Sequence, residues 1–147
     1  MLKTILVGIV SVTSIICGVK IRGYYKKRAD IWGELYKFAL FFKEEITFNK
    51  TLLEDIFQKF DLSHELKQIK DGNYENIPID ESDAIWIKEF FSSLGRLSVT
   101  LELENIDRNI NKIKEKSDKA HKVLQDKGGV SIKLGALVGL GVFVLLI

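Results

Sequence analysis

Both ends of this chain are apolar, and the middle is densely charged. No charged residue occurs from Thr4 to Val19, and none occurs from Leu134 to Ile147. Charge-free runs of this kind suit the interior of a lipid bilayer better than a surface in water. The pattern predicts an all-α, membrane-anchored helical bundle in three parts: a transmembrane helix at 2–21, a cytoplasmic helical domain at 22–129 and a transmembrane helix at 130–147.

The two apolar segments are long enough to cross a bilayer as helices. A helix rises about 1.5 Å per residue, and the hydrocarbon core is about 30 Å thick. Residues 2–21 span roughly 30 Å if the lysines near both ends turn their amines to the interfaces, and residues 130–147 span roughly 27 Å. Gly135 and Gly139 form a G-x-x-x-G pair, which makes them candidates for close packing against another transmembrane helix.

Basic residues flank the inner end of both apolar segments. The first segment is followed by Lys20, Arg22, Lys26, Lys27 and Arg28, and the second is preceded by Lys119, Lys122, Lys127 and Lys133. Positive charge marks the cytoplasmic side of a membrane span. We therefore expect both termini to point outward and the central domain to face the cytosol. Lys26, Lys27 and Arg28 are candidate contacts for anionic lipid headgroups.

Both apolar ends have alternative interpretations. The N-terminal segment could instead be a secretory signal peptide, but it lacks a small-x-small cleavage pattern. It could also be a lipoprotein signal that ends at Cys17, but the large residue Ile16 stands where a small residue is expected. Its basic flank favours a permanent anchor. The C-terminal segment is alternatively a buried core helix, but it has no polar face and lies at the very end of the chain.

The composition offers few groups for catalysis or ligand binding. A formal net charge of +2 gives no case for nucleic-acid binding by charge, and one cysteine supplies no zinc cluster. His64 and His121 lie on different predicted helices without a metal-binding pattern, and no glycine loop fits a phosphate. We interpret Glu44-Glu45 as a solvated surface. The sequence therefore predicts no enzyme, no cofactor, no metal and no small-molecule substrate.

The charged middle is predicted to form several helices. One apolar face is formed by Ile31, Leu35, Phe38 and Phe42 and widened by Trp32, Tyr36, Phe41 and Phe48. A capping-box pattern at Thr51–Glu54 begins a second helix, and Ser63 caps a third that ends at Asp71–Asn73. The acidic run Asp80–Asp83 opens a fourth helix, which carries Ile85, Trp86, Phe90 and Leu94. Gly95 either ends this helix or lies where two backbones touch.

The last charged segment has the most regular apolar spacing. Its seam consists of Val99, Leu103, Ile106, Ile110, Ile113, Ser117, Ala120 and Leu124, which predicts a helix from Ser98 to Lys127. Two interpretations of this seam remain open. It packs on the chain's own first helix, or it pairs with a partner.

The order of these features resembles the stage III sporulation protein AB family. The resemblance rests on the anchor with its basic flank, on Glu45–Asn49, on Leu52–Ile56, on Leu94-Gly95-Arg96 and on the glycine-rich ending. It covers nearly the whole chain. After the Leu-Gly-Arg, the family usually has Ser-Asp and then a glutamine, whereas this chain has Leu97-Ser98 and then Glu102.

The resemblance implies a non-enzymatic platform in the channel complex between mother cell and forespore, which endospore formation requires. Such proteins are similar to the inner-membrane platforms of type II secretion and type IV pilus machines. The implied partners are membrane lipid, other channel subunits and a secretion-type ATPase like stage III sporulation protein AA, with no nucleic acid. The implied location is the mother-cell membrane facing the forespore. Candidate partner-binding residues are Leu94, Gly95, Arg96 and Ser98.

A second hypothesis belongs to a different class of protein. A membrane-anchored sensor or signalling protein would use the seam from Val99 to Leu124 as a coiled coil and would homodimerise through it. The two hypotheses differ in whether the seam faces the chain's own core or a second copy. A membrane enzyme is a third and weaker interpretation, because no acid–base pair is evident.

Overall fold

The computed structural model describes residues 2–49 and 53–146, without the side chains of residues 2–7, 11, 143, 145 and 146. This part of the chain is all-helical, as predicted. The helices are α1 (Leu2–Glu44), α2 (Leu53–Lys59), α3 (His64–Asp71), α4 (Glu81–Ser93), α5 (Val99–Val123) and α6 (Gly129–Leu146). Two π-helical turns, Glu45–Asn49 and Leu124–Gly128, directly follow α1 and α5.

The contacts divide the chain into two units. The terminal unit comprises Met1–Ala29 and Lys119–Ile147, and the central unit comprises Asp30–Asp118. Among the described residues, no helix combines the length and the hydropathy of a membrane span. Thr51 and Leu52, which begin the predicted capping box, and Ile147, which ends the predicted second span, lie outside the described residues.

The core of the central unit forms along one face of α1. Leu35, Phe38 and Phe42 are completely buried, as their helical spacing predicts. Phe38 is the centre of an aromatic cluster: its ring stacks on Phe57 with centroids 5.5 Å apart, and the Phe91 centroid is 5.3 Å away. Phe48, which was expected to widen this face, is instead 77% exposed, because α1 gives way to a π turn before that residue.

Residues at both ends of α3 satisfy its backbone groups. Ser63 Oγ accepts a hydrogen bond from the Leu66 amide at 3.4 Å, which is the predicted N-cap. At the other end Gly72 has φ of +87°, and its amide donates to the Ile69 carbonyl at 3.0 Å. This is a Schellman-type ending, in which a left-handed glycine lets the last carbonyls find donors. The predicted bounds of α3 are thus confirmed.

Helix α4 begins and ends where the sequence predicts, but its buried face differs. Phe90 and Leu94 are buried, whereas Ile85 is 41% exposed. The buried row includes Asp83, an acidic residue that was interpreted only as part of the helix start. Its Oδ1 lies 2.8 Å from Lys116 Nζ on α5, and this ion pair offsets the cost of burying a carboxylate.

The seam of α5 packs on the chain itself over its middle. Ile106 and Ile113 are completely buried, whereas Val99, at the start of the seam, is 57% exposed. Helix α1 contacts α5 through an ion pair, in which Lys43 Nζ is 2.6 Å from Asp107 Oδ1. The middle of the seam is therefore buried within the chain itself, which agrees with the interpretation in which the seam packs on the chain's own helices.

In the terminal unit, α6 runs antiparallel to the first part of α1 at very short range. Ser14 Oγ donates a hydrogen bond to the Gly135 carbonyl at 3.1 Å. A Cβ at Gly135 would lie 2.9 Å from the Ser14 carbonyl oxygen, and one at Gly18 would lie 2.7 Å from the Ser131 carbonyl oxygen. Only glycine permits this distance between the backbones.

Candidate docking site

The turn between α4 and α5, Leu94–Ser98, contains the predicted partner-binding residues. Leu94 is 3% exposed and anchors the turn in the core. Gly95 has φ of +74°, a left-handed conformation that confirms its predicted role in ending α4. A Cβ at Gly95 would lie 2.8 Å from Leu53 Cδ2, so the turn lies directly against α2.

One buried carboxylate fixes the conformation of this turn. Glu102 is 2% exposed, and its Oε1 accepts a hydrogen bond from the Gly95 amide at 3.2 Å. Its Oε2 accepts one from the Leu97 amide at 3.4 Å. The first turn of α5 also favours negative charge, because the helix dipole is positive there. Glu102 therefore acts as a structural anchor between the helix and the exposed part of the turn.

An apolar groove lies beside the turn. Its volume is about 690 Å³, within the range of typical ligand-binding pockets. The lining residues are Phe42, Ile46 and Thr47 from α1 and the π turn, Leu53 and Ile56 from α2, and Gly95, Leu97, Val99, Glu102 and Leu103 from the α4–α5 turn and α5. The site thus combines parts of the chain that are distant in sequence.

The π turn Glu45–Asn49 shapes one wall of the groove. Glu45 is 7% exposed, so the interpretation of this residue as solvated is wrong. Its Oε2 accepts a hydrogen bond from Lys59 Nζ at 2.9 Å, and its Oε1 accepts one from Asn49 Nδ2 at 3.0 Å. These bonds hold the turn against α2. Isolated π turns often occur at functional sites, because they redirect side chains without ending a helix.

Exposed apolar side chains and one basic residue surround the groove entrance. Leu97 and Val99 line the groove and are nevertheless 48% and 57% exposed. Arg96, next to Leu97, is exposed, and no carboxylate among the described residues forms an ion pair with it. An apolar surface bordered by an unpaired charge is typical of a protein-binding site.

The predicted partner-binding residues do not all lie on this surface. Gly95, Arg96 and Ser98 are exposed, whereas the buried Leu94 supports the turn from below. Sequence reasoning missed Ile46 and Thr47, because the apolar spacing before the π turn contains no sign of it. The sequence did contain a pattern that could have indicated the role of Glu102. It is an acidic residue at the start of a helix, and it comes shortly after a glycine that ends the preceding helix.

The other predicted contact residues lie in the terminal unit. Gly135 and Gly139 are buried, and the helix that approaches Gly135 is the chain's own α1. Lys26 and Lys27 are exposed and Arg28 is half-buried. Their positions make Lys26 and Lys27 accessible to a ligand from solution or to a lipid surface.

The terminal unit presents a second, much more apolar surface. Its exposed large aliphatic residues, between 39% and 74% exposed, are Ile9, Val10, Val12, Ile15, Ile16, Val19, Ile21, Val130, Leu134, Leu137, Val138, Leu140 and Val144. These residues occur on both helices of the unit. So many exposed large apolar residues on two paired helices are unusual on a monomer in water and favour contact with a membrane or another protein.

Two hydroxyl groups on the described part of this apolar surface are bonded within the unit. Thr13 Oγ1 donates a hydrogen bond to the Ile9 carbonyl at 2.7 Å, and Ser131 Oγ donates one to the Lys127 carbonyl at 2.6 Å. Such internal bonding removes the main cost of placing a hydroxyl in an apolar environment.

Metal chemistry has no evident centre in the described residues, where no cluster of three or more His, Cys, Asp or Glu side chains occurs. His64 and His121 are both exposed and lie on different helices. Comparison with protein-family models, with curated proteins and with solved structures finds no match for this chain. The two surfaces described above are therefore the candidate functional features of this chain.

Proposed function

We propose that this chain is a non-enzymatic membrane platform that recruits a partner protein to a bilayer. The terminal unit is the anchor, with spans at 2–21 and 130–147, and the central unit is the docking body on the cytoplasmic side. In keeping with the family resemblance, the platform belongs to the mother cell–forespore channel and the partner is a secretion-type ATPase. The observation that carries the proposal is the apolar exterior of the terminal unit.

The anchoring part of the proposal is supported by the chemistry of that exterior. Leu137, Leu140 and Val144 are each more than 60% exposed, an arrangement that is costly in water and favourable in lipid. Lys26 and Lys27 supply exposed positive charge at the inner end of the first apolar segment, where anionic headgroups would lie. Antiparallel pairing of the two helices puts both chain ends on the same side of a membrane.

The docking part is supported by the groove and its turn. A platform needs a rigid surface that stays exposed until its partner arrives. The Leu94–Ser98 turn meets this need, because Leu94 and Glu102 hold it from below while Arg96 remains exposed.

The anchor is tested with the single native cysteine. Cys17 is exposed on the terminal unit, so a water-soluble maleimide should label it quickly if this surface meets water. We expect no labelling in intact vesicles and full labelling after denaturation in SDS. The control variant carries serine in place of Cys17 and cysteine in place of Glu75, an exposed loop residue. Its labelling is measured in inside-out vesicles. Equal labelling rates at the two positions, or release of the chain by alkaline carbonate, would overturn the anchor.

The docking function is tested by recruitment. Arg96→Glu should abolish co-purification of a secretion-type ATPase with the membrane fraction. Arg108→Glu makes the same charge change at another exposed position, on α5, and should leave recruitment intact. An equal effect of both substitutions, or of neither, would remove the turn from the partner interface.

A further inference from the structure

We propose that the groove binds an amphipathic helix of the partner, with its apolar face in the groove and one of its carboxylates paired with Arg96. This inference rests on the proposed function for the existence of a partner, and it adds the chemistry of the segment that docks.

The shape and the lining of the groove favour a helix. Its walls are aliphatic and aromatic, with Ile46 and Leu53 on one side and Leu97 and Val99 on the other. An apolar helix face offers anchors every three or four residues, and a groove between helices accepts them as a row. The exposed Phe48, in the same π turn as Ile46, extends the apolar surface beyond the groove.

The charges around the groove favour an acidic residue on that helix. Arg96 is the only charged residue between Leu94 and Leu101. Two buried carboxylates beside the groove are already bonded, since Glu45 pairs with Lys59 and Glu102 holds the turn. A partner carboxylate would therefore find an unpaired guanidinium, which binds carboxylates with two parallel hydrogen bonds.

A second copy of this chain fits the groove less well than a different protein does. Outside the groove lining, the described part of the central unit has four exposed large apolar residues, Leu40, Phe48, Ile85 and Leu101, and they belong to α1, the π turn, α4 and α5 respectively. Because they are spread over four elements, they do not form one apolar helix face that could fill the groove of another copy.

The test uses the full chain in lipid nanodiscs and three designed helical peptides with a fluorescent label. The first has a leucine stripe flanked by glutamates, the second has lysines in place of the glutamates, and the third has serines in place of the leucines. Fluorescence anisotropy gives the affinity of each peptide. Peptide partition into lipid is common to all protein variants, so differences between variants report binding to the groove.

We expect the glutamate peptide to bind the native chain at least fivefold more tightly than the lysine peptide, and Arg96→Glu to reverse that order. Val99→Asp should abolish binding of both the glutamate and the lysine peptide. The helix itself should tolerate this change, because an acidic residue is favourable at the first position of α5. Circular dichroism verifies that the variant is folded. Ile85→Asp and Arg108→Glu are the matched controls and should leave both affinities unchanged. The serine peptide should show no dependence on the variant.

Three results would overturn the inference: equal affinity for the native chain and Val99→Asp, no reversal with Arg96→Glu, or loss of a dimer in sedimentation when Val99 is replaced. The recruitment experiment tests the proposed function independently of the peptides. If the peptides behave as expected but Arg96→Glu still recruits the ATPase, the groove binds an acidic helix and the ATPase docks elsewhere. If recruitment is lost and the peptides show no preference, the turn is the interface and the groove is not.

Discussion

Glu102 links the start of α5 to the turn before it through a single buried side chain. Each of its two carboxylate oxygens accepts a hydrogen bond from a backbone amide, at Gly95 and at Leu97. Hydrogen bonds to charged groups contribute about 1.5–3 kcal/mol each. One side chain therefore controls whether Arg96 is held in a fixed position.

Replacing Glu102 tests this role. Glu102→Ala leaves two amides without their acceptor, and we expect the free energy of unfolding to fall by about 2–4 kcal/mol. Glu102→Gln keeps one acceptor oxygen and should lose about half as much. Urea unfolding followed by tryptophan fluorescence measures the change in the central unit, which contains both tryptophans, Trp32 and Trp86.

Glu104→Ala is the control for Glu102, because Glu104 lies on the same helix and is exposed. It should change the free energy of unfolding by less than about 0.5 kcal/mol. Equal effects of the two alanine substitutions would show that the carboxylate of Glu102 does not hold the turn. Amide hydrogen exchange at Gly95 and Leu97, faster in Glu102→Ala than in the native chain, gives a second and local measurement.

At the scale of helices, α4 and α5 are joined by a partly buried ion pair. The Asp83 side chain is 11% exposed and the Lys116 side chain is 37% exposed. Lys112, one turn earlier on α5, lies over the Trp86 ring with Nζ 4.2 Å from the centroid. The same face of α5 thus interacts with α4 through charge and through an aromatic ring.

Lys116→Met keeps most of the aliphatic stem but removes the charge next to Asp83. We expect it to lower the free energy of unfolding by about 1–2 kcal/mol, because the buried carboxylate loses its partner. Lys67→Met is the matched control: Lys67 pairs with Asp61 at 2.9 Å, but both side chains are more than half exposed. An exposed ion pair contributes little to stability, so the control should change the free energy of unfolding by close to zero. Similar losses in the two variants would contradict this account.

The seam of α5 is tested by truncating a buried position and an exposed one. Ile113→Ala removes a completely buried side chain and should cost about 2–4 kcal/mol in unfolding free energy. Leu101→Ala, at a position that is 52% exposed, should cost less than about 0.5 kcal/mol. If Ile113→Ala had the same free energy of unfolding as the native chain but a lower dimer fraction in sedimentation, the homodimeric sensor would be favoured.

The sequence predicted helices with regular spacing better than it predicted departures from that spacing. Ser63 and Gly72 correctly marked the ends of α3, because capping depends on local backbone chemistry. The burial of Asp83 and Glu45 was not predictable, since their partners Lys116 and Lys59 come from other helices. The groove escaped prediction for the same reason. It arises only where a π turn, α2 and the start of α5 meet.

At the scale of the whole molecule, the terminal unit depends on close approach of its two helices. Gly135 lies against the Ser14 carbonyl, and Gly18 lies against that of Ser131. If the unit lies in lipid as proposed, its helices gain no hydrophobic stabilisation from pairing, and van der Waals contact at small residues supplies much of the association energy. Loss of a single glycine should therefore affect the entire unit.

Gly135→Val places a branched side chain where a Cβ alone would lie 2.9 Å from the Ser14 carbonyl oxygen. We expect a loss of about 1–3 kcal/mol, as for an overpacked core, and a lower thermal midpoint. Gly141→Val is the control, because a Cβ there meets nothing within 4 Å. Circular dichroism of both variants in dodecyl maltoside micelles measures the midpoints. If the two variants had the same thermal midpoint, pairing of the two helices would not depend on the contact between Gly135 and Ser14.

The aromatic cluster around Phe38 has a consequence for the order in which the central unit folds. Phe38 meets Phe57 and Phe60 of neighbouring sequence and also Phe91, which is much farther along the chain. Closing a loop costs about 0.6 kcal/mol more for each doubling of its length, so the nearer rings meet first. We expect a nascent chain on the ribosome to collapse around Phe38 and α2 before α4 is synthesised, and pulse-labelled proteolysis of stalled nascent chains would detect that early nucleus.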